Sequence, residues 1–132
     1  MKVVALDYGS ARTGVAVSDP TGTIARPLAV VERAASEAGL ARIAELVRAQ
    51  DAERVVVGLP LTLRGQRGAQ AQETEAFVEA LRQAVEVPVE SYDERFTTSL
   101  AASTGSDEAP EDARAAAHLL SSYLEWSSAA RG

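Results

Sequence analysis

The 132-residue chain contains no cysteine, which excludes disulfides, a thiolate nucleophile and a zinc–thiolate centre. Lysine is almost absent too: Lys2 is the only one, so positive charge rests on arginine. No run approaches the roughly 20 apolar residues of a membrane span. The N-terminal apolar run is cut short by Asp7, unlike a signal peptide. A cytoplasmic protein with no membrane partner is expected. The formal net charge of −6 opposes non-specific attraction to phosphate. Arginine, however, can clamp a phosphate through two parallel hydrogen bonds, so a few placed arginines can do what bulk charge does not. The chain is 46% hydrophobic and 24% charged, the composition of a globular protein. Residues 1–132 are expected to form one domain, long enough to bury a core without staples.

Met1 to Asp19 organises the rest. Val3-Val4-Ala5-Leu6 reads as a buried strand ending on Asp7. A turn over Gly9-Ser10-Ala11-Arg12-Thr13-Gly14 and a second apolar run, Val15 to Val17, make a hairpin. A third strand follows over Thr23 to Val31, with Pro27 calling for an edge position or a bulge. Asp19, before Pro20, reads as a turn former. Helical spacing of Leu40, Ile43 and Val47 predicts a helix over Ser36 to Gln50. The β-branched run Arg54 to Gly58 then returns to the sheet as a parallel crossover. Beyond a loop at Leu61 to Gly68 come a helix over about Gln70 to Ala84 and a strand over Val87 to Tyr92. A loop-like acidic segment lies between Thr97 and Pro110, and Pro110 opens a last helix. On that helix Ala113, Ala116, Leu120, Tyr123 and Leu124 form the apolar stripe. His118, with Arg114, Ser121, Ser122 and Glu125, is expected to face solvent, and Trp126 and the tail to fray. The order βββαβαβα defines an α/β fold, a mixed central sheet of five strands with helices packed on it.

An Asp at the end of a buried strand must be hydrogen-bonded, salt-bridged, neutralised or bound to a cation. Asp7 ends the first strand, Asp93-Glu94 the last strand, and Asp112 opens the final helix on its inward edge. If the first and last strands are parallel neighbours, their carboxylates leave the same sheet edge, where open α/β sheets bind ligands. Oxygen ligands without thiolate or imidazole suit Mg²⁺ or Mn²⁺. Two such ions can activate water and stabilise the leaving oxygen of a phosphodiester.

LDYGSARTGVAVSD, VVVGLP, the loop around Gly65 and Gly68, DERFTT and DARAAAHLLSSYLE, in this order and across essentially the whole chain, resemble the RuvX/YqgF family. Its members are described as Holliday-junction resolvase-like proteins and as nucleases of pre-16S ribosomal RNA. The resemblance implies a ribonuclease H-like fold and a divalent-metal phosphodiesterase site using Mg²⁺ or Mn²⁺. Carried over by motif, Asp7 matches the first-strand ligand, Asp93-Glu94-Arg95 the second acidic motif, and Asp112 the helix acid. Both Asp93 and Glu94 are expected near the site, with Asp93 ahead. Arg12, Arg64, Arg67 and Arg95 are candidate phosphate contacts. The chain departs from the family between the Asp-Glu-Arg motif and Asp112, where a short acidic segment stands in place of a longer basic one.

The expected activity is metal-dependent cleavage of structured nucleic acid, an RNA precursor or a four-way DNA junction. In-line attack by activated water needs no histidine base. The Asp-Tyr-Gly-Ser…Thr-Gly turn also resembles the phosphate loop of actin-like and sugar-kinase folds, but the chain is too short for the two lobes that clamp ATP there. The remaining alternative is a non-catalytic module docking on RNA, a ribosome or a transcription factor, for which clustered carboxylates serve no purpose. The sequence leaves oligomeric state open: symmetric junction resolution needs two active sites, as in a homodimer, whereas a strict monomer would favour the RNA reading or an exonuclease.

Overall fold

The computed structural model describes residues 1–60, 68–93 and 109–131. Along the chain these are β1 (Val3–Asp7), β2 (Arg12–Ser18), β3 (Ala25–Glu32), α1 (Glu37–Ala49), β4 (Arg54–Leu59), α2 (Ala69–Ala84), β5 (Val89–Asp93) and α3 (Glu111–Arg131). The strands form a single sheet in the order β3-β2-β1-β4-β5. β1, β2 and β3 are an antiparallel meander, while β4 runs parallel to both β1 and β5. The first and last strands are therefore not neighbours. The crossover through α1 carries β4 against β1, and β5 is displaced one strand outward.

β1 and β4 read as unbroken apolar runs because both of their faces are covered. Alternation along each strand divides the core in two. Val4, Leu6, Val15, Val17, Val55, Val57 and Val89 pack with Ile43, Val47, Phe77, Val78 and Leu81 of α1 and α2. Val3, Ala5, Ala16, Val56 and Tyr92 pack with Ala116, Ala117, Leu120, Tyr123 and Leu124 of α3. The alanines on both sides of this second layer let α3 lie close to the sheet.

Local chemistry sets the element ends. The Ser36 hydroxyl caps α1 by accepting from Gly39 N at 3.0 Å, an interaction typically worth about 1 kcal/mol. The Asp19 carboxylate accepts from the backbone N–H groups of Thr23 (2.8 Å) and Ile24 (2.9 Å). These bonds, with one from the Thr21 hydroxyl, hold its pKa well below the usual carboxylate range. Asp19 is thus the turn former expected of it. β3 is an edge strand, and the register breaks beside Pro27, which pairs with Ala16 while Ala29 pairs with Val15. Pro27 accordingly has both the edge position and the bulge.

Helix α3 departs from expectation on its polar side. Ser121 and Ser122 are buried and His118 is half-buried. Tyr92 reaches across from β5 to place its hydroxyl 3.2 Å from Ser122 Oγ, so a helix position that reads as solvated is packed by an aromatic side chain. Trp126 does not end the helix, which continues to Arg131. Its ring lies 5.9 Å from those of both Tyr92 and Tyr123. No described helix is long and apolar enough to cross a membrane.

Candidate active site

The geometry starts from the pairing of Asp7 with Gly14 across β1 and β2. Val3 and Ala5 belong to the layer under α3, so alternation turns Asp7 to that same face. Gly14 shares the face, and there it is in direct contact with α3. A Cβ added to Gly14 would lie 1.8 Å from the carbonyl oxygen of Asp112 and 3.0 Å from the nitrogen of Ala113. Only glycine lets the first turn of α3 rest on the sheet at this point. Asp112 is in that way seated one strand away from Asp7, the distance between antiparallel neighbours being about 5 Å.

The loop from Asp7 to Arg12 is held at several points. The Tyr8 ring stacks on Phe77 of α2 with centroids 4.4 Å apart and planes at 21°. Burial, with a smaller contribution from the negative charge of Glu73, pushes the Tyr8 phenol up from its ordinary pKa. The fully buried Thr13 hydroxyl donates to Gly9 O at 3.3 Å, and Arg33 N donates to Ala11 O at 3.0 Å. Arg12 opens β2 with its backbone thus fixed, and its guanidinium Nε stands 3.3 Å from Asp112 Oδ2. Glu111 and Asp112 both lie in the first turn of α3, where the helix dipole favours negative charge.

Asp93 is placed differently. It closes β5 opposite Leu59, in the alternation that puts Val89 among the α1–α2 core and Tyr92 under α3. Asp93 therefore falls on the face away from Asp7 and Asp112. Among the described residues no group of three or more acidic or histidine side chains is positioned to hold a metal ion. Glu94, Arg95, Arg64 and Arg67 lie outside the described residues. His118 sits two turns from the first residue of α3 with its Nδ1 buried and without a hydrogen-bond partner among the described residues.

The residue that sequence reasoning missed is Gly14. It reads as one more turn glycine, and its contact with Asp112 depends on two segments at opposite ends of the chain. The Arg12–Asp112 pair is hidden for the same reason.

A mixed 3-2-1-4-5 sheet with helices packed on both faces is a ribonuclease H-like fold. The solved structure described as "T. thermophilus RuvC in complex with Holliday junction substrate" shares this fold, with a TM-score of 0.68 at 18% identity over 98% of this chain and 96% of that one. A second Thermus thermophilus RuvC structure superposes with a TM-score of 0.59 at 21% identity. The chain belongs to the RuvX family, described as Holliday junction resolvase, whose model it matches over residues 1–126. A relative from Chloroflexus aurantiacus named "Putative pre-16S rRNA nuclease" is 40% identical over 131 residues, covering 93% of this chain and 86% of its own. One of the same name from Anaeromyxobacter sp. is 42% identical over 133 residues, covering 95% and 97%.

Nucleases and resolvases with this fold generally depend on divalent metal. The donor chemistry fits: Asp7 and Asp112 offer carboxylate oxygens, the ligands of Mg²⁺ and Mn²⁺, from a strand and a helix locked together at Gly14.

Proposed function

We propose that residues 1–132 act as one nuclease domain, hydrolysing phosphodiester bonds in structured nucleic acid with Mg²⁺ or Mn²⁺ held by Asp7, Asp112 and Glu94. The reading rests on the seating of Asp112 beside Asp7 through Gly14. Glu94 is chosen over Asp93 because, of the two acids of this motif, Asp93 falls on the far face of the sheet. When bound, the cation supplies an acidic water and positive charge to offset that developing on the phosphate. The protein's part is positional. β1 and α3 hold two carboxylates at fixed separation, and the loop pinned by Tyr8 and Thr13 presents Arg12 beside them. Arg12 then contacts a backbone phosphate, with Arg64, Arg67 and Arg95 as further contacts.

Labelled four-way junction, duplex DNA, single-stranded DNA and an rRNA precursor, compared side by side with Mg²⁺ and Mn²⁺, test the activity and separate the two substrate classes. Absence of cleavage of all four by folded protein would leave a binding module as the surviving interpretation.

The metal site has its own signature in stability. At a hundredfold excess over Kd, Mn²⁺ is expected to stabilise the native state by about 2.7 kcal/mol. For a chain of this size that raises the melting temperature by on the order of 10 °C. A flat melting temperature up to millimolar Mn²⁺ would count against the site.

The choice of second acid is tested by paired substitutions. Glu94→Gln is expected to remove both cleavage and the Mn²⁺ shift, and Asp93→Asn to retain most of each. The reverse pattern would move the ligand to Asp93.

A further inference from the structure

Arg12 is the cation that accompanies Asp112, and the way it does so suggests more than a structural bridge. Its Nε lies 3.3 Å from Asp112 Oδ2, yet the two side chains are 66% and 40% exposed. A pair this open to solvent contributes little and exchanges partners readily. The residue directly across the ladder from Arg12 is Glu32, another exposed acid, but the guanidinium is directed to Asp112 instead. The backbone beneath Arg12 is fixed by β2 and by the Arg33–Ala11 hydrogen bond, so a change of partner requires only the side chain to move. A planar guanidinium fork fits a carboxylate and a phosphate equally well. A divalent cation at Asp112 would take over the charge that Arg12 now offsets and leave the fork available at the mouth of the site.

We propose that Arg12 is an exchangeable counter-ion. It neutralises Asp112 in the free protein and transfers to a phosphate of the nucleic-acid backbone when a divalent cation occupies the acids, so metal loading and substrate binding are coupled through this one side chain. The proposal rests on the nuclease reading and adds to it a definite sign. Arg12 competes with metal in the absence of nucleic acid and cooperates with it in its presence.

Calorimetric titration of Mn²⁺ into the full chain, without nucleic acid, tests the first half. Arg12→Ala is expected to bind Mn²⁺ about 2- to 5-fold more tightly than wild type, the range corresponding to loss of one exposed ion pair. Arg12→Gln should behave likewise and serves if the alanine variant folds poorly. Arg26→Ala removes an exposed arginine of β3 and should leave Mn²⁺ affinity unchanged. The second half is read from binding to a junction with phosphorothioate linkages, with and without Mn²⁺. In Arg12→Ala the gain in junction affinity brought by Mn²⁺ should shrink by a similar factor, and the salt slope should fall by about one unit. Unchanged or weaker Mn²⁺ binding by folded Arg12 variants would overturn the exchange, as would equal tightening in Arg26→Ala. In either case a wild-type protein that binds Mn²⁺ and cuts leaves the nuclease assignment standing. A wild type that binds no Mn²⁺ removes both.

Discussion

Asp7→Asn is expected to abolish cleavage while leaving the fold intact or slightly stabilised. Asparagine keeps the shape of the side chain and one acceptor oxygen but loses the charge that would hold a cation. Without metal, Asp7 and Asp112 are like charges on the same face, brought together by the contact of α3 with Gly14. Arg12 offsets part of the Asp112 charge, so removing the charge of Asp7 relieves repulsion by no more than about 1 kcal/mol, the size of a screened interaction over a few ångströms. A purely structural Asp7 predicts the opposite sign, since deleting a buried hydrogen-bonded partner costs about 1–3 kcal/mol. Metal-free thermal unfolding of the variant therefore decides between the two independently of activity. A well-folded Asp7→Asn protein that cuts at near wild-type rate would sink the nuclease assignment.

The second large effect is expected at a residue with no chemistry of its own. In Gly14→Ala the new methyl group would lie 1.8 Å from the Asp112 carbonyl oxygen, and both neighbours are backbone. Neither can swing aside as a flexible side chain would. The first turn of α3 must rise from the sheet, breaking the close packing of Ala113, Ala116 and Ala117 below it. Overpacking of this kind costs about 3 kcal/mol, at the upper end of the usual range. Asp112 moves with the helix, and a displacement of about 1 Å at a catalytic group can cost on the order of a hundredfold in rate. Calorimetry and cleavage assays at a temperature where the variant is still folded measure the two effects separately. Wild-type stability in Gly14→Ala would mean that α3 is not seated on β2 as described.

Much of this was readable from the sequence, and for physical reasons. The apolar runs of β1 and β4 are unbroken because those strands are covered on both faces, and hydrophobic periodicity reports such burial directly. Pro27 announced its edge and its bulge through a missing N–H. The failures all involve long-range contacts. Nothing near Ser122 in sequence hints that Tyr92 of β5 will cover it, nor that the same ring will meet Trp126. At the site, the strand-end position of Asp7 and the helix-start position of Asp112 were legible one at a time. Their approach to each other was not, because it depends on a missing side chain at Gly14. The face of Asp93 depends on β4 standing between β1 and β5, an arrangement that only the assembled sheet shows.

The two borders of the sheet bear on how a pair of cuts could be made in one substrate. β3 borders one side, with a proline that cannot donate to a neighbouring ladder and a register break beside it. Among the described residues β5 borders the other, with Glu90 and Ser91 left partly or fully in solvent. Among the described residues, the β3 border does not invite another strand. Two copies acting symmetrically on a four-way junction would thus not share a sheet through β3; where helix faces or the junction itself join them, their spacing is set by the nucleic acid or by side-chain packing. Twofold action by this fold would then depend on concentration and on the geometry of the substrate, whereas cutting of a single RNA strand would not.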